Sequence, residues 1–250
     1  MVMKPVTFLM MAAIGCTVPA MGAARPMERA TFSQDYLVYV GGFRTATATA
    51  IGEAAEGRYV FTLNAESAGL VRLFADAKFT ATVTGDVTTE GNLIPDGYTH
   101  SGFWDGETYT LSMDYEGGNP VRVAYAPERE PDDDPIPPLD TQEGTLDPVS
   151  ALMALTWPGT PEDICDRRVE TFSGSRRTVS DIEPARPAPD GRLACDLVYT
   201  RVKYDDAGQP YSDKEFPYTL ELRPMADGLW EVWKISGPTS MGTMVVRRAE

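Results

Sequence analysis

The chain contains a single histidine, His100, within the run YTHSGFWDG. Any mechanism that passes a proton through imidazole has to use it. Ser101, Trp104 and Asp105 are close in sequence, so a local proton-transfer site is conceivable, but the pattern equally suits a strand residue. The spacing signatures of hydrolases are missing. No G-x-S-x-G elbow occurs, and FSGSR at 172–176 has the wrong spacing. Asp181 and Asp196 could face each other as a carboxylate pair. With 37 acidic residues, chance proximity is common, and a glycosidase reading has no specific support. There is no HExxH, no His/Cys cluster and no phosphate-cradling glycine loop. No catalytic residue, metal or cofactor is therefore expected, and the chain reads as a non-enzyme. A hydrolase using His100 or paired carboxylates is kept as a further alternative.

The three cysteines sort by position. Cys16 lies in an N-terminal stretch, MVMKPVTFLMMAAIGCTVPAMGAA, with one cation (Lys4), an apolar run from Val6 to Ile14, and small residues at Ala20, Gly22, Ala23 and Ala24. Those are the three parts of a secretory signal peptide, with cleavage after Gly22 or Ala24. The apolar run has about ten residues, half of what a membrane span needs. Residues 1–24 are read as the signal, and the mature protein as periplasmic. Ala13-Ile14-Gly15 before Cys16 is a partial match to a lipoprotein cleavage site, which leaves lipidation at Cys16 as a second outcome. Either way Cys165 and Cys195 remain. An even thiol count in an oxidising compartment predicts a disulfide between them.

Charge narrows the partners. The chain carries 22 cations against 37 acids, and removing residues 1–24 takes only Lys4, leaving 21 against 37, or −16. Such a surface repels phosphate backbones, which argues against nucleic acid. No other run reaches the length of a membrane-spanning helix.

The elements that would position these groups are mostly strands. Period-two alternation runs through Tyr36-Val38-Val40, the stretch 43–51, Tyr59-Phe61-Leu63, Phe79-Ala81-Val83, Tyr109-Leu111-Met113 and Val121-Val123-Tyr125. Turn signals such as Glu56-Gly57 and Gly117-Gly118 separate them. Only SAGLVRLF (67–74) suggests a helical turn. Residues 127–144 are acidic and proline-rich and read as an exposed, extended loop. Its Asp132-Asp133-Asp134 run lacks the alternation of a calcium loop. Asp147 as N-cap and Pro148 as first residue open one short helix near 147–157, ended at Trp157-Pro158-Gly159. Strands resume, with a hairpin across Ser173-Gly174-Ser175. About twelve strands and one helix predict a mainly β fold: an antiparallel meander forming a closed or nearly closed barrel, which would hide its edges. Residues 25–250 are read as one β-rich domain, which the 127–144 loop could divide into two halves.

The order of these features resembles a bacterial exported family, "domain of unknown function 3108". The matching pieces are Tyr36-Leu37-Val38-Tyr39-Val40, ATATA at 46–50, Ser67-Ala68-Gly69-Leu70-Val71 with Phe74, Phe79, Leu93-Ile94-Pro95 and Asp147-Pro148-Val149-Ser150-Ala151-Leu152. The resemblance covers most of residues 33–235. It implies a periplasmic β-rich protein and carries no activity or catalytic residues. The acidic loop and the Cys165/Cys195 pair depart from that pattern.

With no reaction indicated, the aromatics carry the remaining signal. Tyr36, Phe43, Tyr59, Phe61, Phe79, Phe103, Trp104 and Tyr109 could line one concave sheet surface, opposite many small residues. The leading expectation is a barrel that binds or carries a hydrophobic or amphipathic envelope molecule. The alternative is a non-catalytic assembly or scaffold factor that contacts an envelope protein.

Overall fold

The structure, a computed structural model, describes residues 30–73, 76–104, 106–128, 136–205 and 209–249. The signal segment with Cys16, Asp105 and the Asp132-Asp133-Asp134 run lie outside the described residues.

Seven strands come first: β1 (Ala30–Val40), β2 (Phe43–Ala55), β3 (Arg58–Ser67), β4 (Ala77–Val87), β5 (Leu93–Trp104), β6 (Glu107–Glu116) and β7 (Asn119–Ala126). Two short helices follow, α1 (Pro148–Thr156) and α2 (Pro161–Ile164). The chain then forms β8 (Arg167–Phe172), β9 (Arg177–Ile182), the two-residue β10 (Arg186–Pro187), β11 (Leu193–Tyr204), β12 (Pro210–Pro224), β13 (Trp230–Thr239) and β14 (Gly242–Arg248). Tight turns make the meander possible. Gly41 and Gly42 both take positive φ, as do Glu56 and Gly57, which gives two-residue hairpins whose twist matches the strands.

All fourteen strands belong to one antiparallel sheet, in the order β7-β6-β5-β4-β3-β2-β1-β14-β13-β12-β11-β9-β8, with β10 on β11. The first and last strands meet in its middle, Tyr36 opposite Arg248 and Val38 opposite Val246. One continuous sheet thus runs through both halves of the chain.

The barrel expected from the strand count does not form as a hydrogen-bonded ring. β7 and β8 are its two edges and do not pair with each other. Other contacts bridge the gap. The Tyr125 hydroxyl on β7 donates to the Gly174 carbonyl in the β8–β9 turn at 2.7 Å. Leu146 lies along β8, its N–H donating to Glu170 and its carbonyl accepting from Phe172. The Gly144 N–H donates to the Asn119 side chain, at the start of β7. These contacts cover edge groups that would otherwise stay unpaired.

The same segment corrects the expectation of a wholly exposed loop over 127–144. Gln142 is fully buried, its amide donating to Pro138 O, Thr141 Oγ1 and Tyr204 Oη. The amide nitrogen is thus satisfied, while the buried Oε1 has no partner among the described residues.

α1 forms where Asp147 caps it: one carboxylate oxygen accepts from the N–H groups of Val149 and Ser150, both at 2.9 Å. Val149 and Met153 of this helix pack on Tyr59, Phe61, Val83, Met113 and Phe172 in the first of two cores. The second core joins Ile164 and Cys165 to Ile182, Leu197, Leu220 and Val232. Cys165 and Cys195 are disulfide-bonded, with Cα atoms 6.0 Å apart across a separation of 30 residues. Both are fully buried in that core.

Candidate functional site

Register fixes which side chains share the inner face of the sheet. Ala54, Gly52, Ala50, Ala48 and Ala46 of β2 stand opposite Tyr59, Phe61, Leu63, Ala65 and Ser67 of β3. Leu63 faces Ala81, Ala81 faces His100, and His100 faces Leu111. On the other wing Val246 faces Ile235 and Ile235 faces Leu220. All these residues lie on the side that carries the cores.

The inner face has two unlike levels. At the level of α1 it is filled. Tyr59 and Phe61 are each 1% exposed, their rings 4.7 Å apart, and Phe61 also meets Trp157. The Tyr59 hydroxyl is 2.9 Å from Ser150 Oγ, which ties sheet to helix. Nearer the end where β1 turns into β2, the inward side chains are only partly covered. Val38, Leu63, Tyr199, Tyr218, Met244 and Val246 are all half-buried although they point inward. Tyr199 packs edge-on against Tyr218, and the Tyr218 ring lies over Gly237, where a Cβ would come within 2.2 Å of it. This apolar, partly open stretch is the candidate site.

The aromatics expected to face a ligand divide among four settings. Tyr59 and Phe61 are core and line no space. Tyr36 lies on the inner face beside Arg248 and Thr156, and burial pushes its phenol up. Phe79 and Tyr109 stand on the inner face near the open end, on either side of His100, with centroids 5.5 and 5.4 Å from the imidazole. Phe103 stands on the opposite face, opposite Lys78 and Thr108. Phe43 and Trp104 sit at strand ends, 68% and 58% exposed.

His100 is held edge-on by two rings, and its buried Nε2 has no hydrogen-bond partner. Desolvation lowers its pKa, which favours neutral imidazole. Ser101 shares the opposite face with Thr80 and Thr110. Nothing among the described residues orients the imidazole as a base. The carboxylate pair does not form either. Asp181 takes Arg168 at 2.9 Å, while Asp196 takes Arg186 at 2.9 Å and Thr219 at 3.0 Å. Among the described residues, no group of His, Cys, Asp and Glu is placed to hold a metal ion.

Three arrangements escape sequence reading. Asp147 is both helix cap and buried carboxylate. Burial raises its pKa to about 6, against the lowering pull of its Ser150 and Val149 bonds. The second is Glu231, 6% exposed, whose carboxylate is shared by Arg223 at 2.6 Å and by Arg248. The third is an outer cleft of about 430 Å3 over β4–β7, where Thr80, Thr82, Thr99, Ser101, Thr110 and Ser112 supply hydroxyls. The only trace of these in the sequence is the capping pattern at Asp147; the rest depend on strand register.

Fold and site together define a class: a strongly curved, helix-filled antiparallel sheet with a partly open apolar inner face. The chain belongs to the family described as protein of unknown function DUF3108, whose profile matches residues 35–226. No curated protein and no solved structure matches it.

Proposed function

We propose that this is an exported, periplasmic, non-enzymatic binding protein that shelters an apolar or amphipathic envelope molecule on the inner face of its sheet. One observation supports it most: inward-pointing apolar residues of β1, β11, β12 and β14 stay half-buried above the packed level of α1. Filled cores bury such side chains completely. Small residues on β2, Ala46 and Ala48, leave room across from them. Ligand sites of this kind are apolar with few polar groups, and Tyr199, Tyr218 and His100 would supply those here. The fold is nearly ring-shaped without closing, so a molecule would enter from the end where β1 meets β2.

The test uses the mature protein and a neutral apolar fluorophore, N-phenyl-1-naphthylamine. Saturable binding is expected, and Ala48→Trp, which fills the face away from both cores, should abolish it. Undiminished probe binding by a folded Ala48→Trp variant would sink the reading.

A further inference from the structure

The strand order brings many turns to one end of the sheet. β1, β3, β5, β11 and β13 finish there, while β2, β4, β6, β12 and β14 begin there. Among the described residues, the three most exposed large apolar side chains are Met241 at 76%, Phe43 at 68% and Trp104 at 58%. All three lie at that end, each at a different turn. Phe79, Tyr109 and Tyr211 belong to the same end, so six of the ten exposed large hydrophobics among the described residues lie along this rim. The β1–β2 and β13–β14 turns adjoin, the Gly41 N–H donating to the Thr243 carbonyl at 3.0 Å.

Cations follow the same distribution. Most arginines and lysines are engaged in ion pairs, hydrogen bonds or ring contacts. Arg44, Lys78 and Arg176 have none with the described residues, and all three are exposed. Arg44 follows Phe43, Lys78 precedes Phe79, and Arg176 lies in the β8–β9 turn at the same end. Glu66 and Glu107 also stand here, so the rim as a whole is not strongly basic.

We infer that this rim docks on a phospholipid surface. The anchors sit on the turns of three hairpins, two of which adjoin. Single aromatic and aliphatic side chains flanked by cations match the membrane interface, where rings enter the headgroup layer and cations meet phosphates. The occupant is phospholipid because both halves of its chemistry are met: apolar tips for acyl chains, and unpaired cations for phosphate on a chain whose net charge of −15 otherwise repels it. This inference rests on the sheltering role proposed above, since the rim borders the inner face through which a lipid would pass.

Vesicle flotation tests it, with mature protein and phosphatidylcholine vesicles. Wild type should float. Phe43→Ser, Trp104→Ser and Met241→Ser combined should cut partitioning by about a thousandfold, each exposed anchor contributing about tenfold. Arg44→Glu with Lys78→Glu and Arg176→Glu should weaken it further at low salt. Wild type that stays at the bottom of the gradient, or a triple serine variant that floats equally well, overturns the docking. The naphthylamine probe separates the two ideas. The serine variant should still bind it. Protein that binds probe but never floats overturns docking alone, while protein that floats but binds no probe keeps docking and sinks the sheltering role.

Discussion

Tyr59 on β3 and Ser150 on α1 share a buried hydrogen bond of 2.9 Å, one residue pair joining the sheet to the helix that fills it. Ser150 also donates its N–H to Asp147, so the contact extends into the helix cap. The phenols of Tyr59, Tyr98 and Tyr115 are all pushed up, chiefly by burial and then by the nearby Asp147 carboxylate in the case of Tyr98 and Tyr115.

That cluster predicts an unusual pH response. The folded pKa of Asp147, about 6, lies above its ordinary 3.8. Between those values the folded state keeps a proton that the unfolded state has lost. The stabilising contribution is therefore fully present below about pH 4 and fades as pH rises through 6. The span corresponds to about 3 kcal/mol. Asp96, Glu170 and Asp196 have lowered pKa values and act in the opposite sense, in more acidic solution. Desolvated His100, its pKa lowered from 6.5, works against Asp147 in the same window. In urea unfolding at pH 5, 6 and 7 the stability difference between wild type and Asp147→Asn should therefore shift in favour of wild type toward acid. An unchanged slope in the variant counts against Asp147 as the cause.

The Cys165–Cys195 crosslink fastens the end of α2 to β11 inside the second core. A loop of this length should stabilise the fold by roughly 3–4 kcal/mol. The double serine variant should lose that much in denaturant titrations, and reductant should do the same to wild type while leaving the variant unaffected.

Tyr125 and Gly174 link two edges that no strand pairing joins. Tyr125→Phe should cost about 1 kcal/mol and speed amide exchange in β7 and at 173–176. Gly174→Ala should cost more. Its φ is +89°, and an added Cβ would come within 2.6 Å of Leu111. Equal effects from the two substitutions would contradict this account.

Glu231 is the acceptor for both Arg223 and Arg248. Glu231→Gln should destabilise by about 3 kcal/mol, because it leaves two guanidiniums without their anion at the end of the β13–β14 pair away from its turn. Adding Arg248→Leu should recover part of the loss, which a double-mutant cycle would measure.

By itself the sequence determined the strand character, the α1 cap and the disulfide pair. Each is written locally: alternation through β2–β7, Asp147-Pro148 before an apolar run, and two cysteines left after the one at position 16. The order of short motifs was enough to place the family. Tertiary structure decided the rest. Alternation tells which residues share a face, but not what covers that face. Tyr59 and Phe61 looked like ligand-facing rings until α1 was seen to fill the space above them. Strand count suggested a closed or nearly closed barrel, yet closure depends on whether β7 and β8 pair, and the Tyr125–Gly174 contact with residues 144–146 bridges them instead. Phe43, Trp104 and Met241 lie far apart in the chain. Alternate turns of the β1–β6 meander put Phe43 and Trp104 at one end of the sheet, and the pairing of β1 with β14 brings Met241 to it.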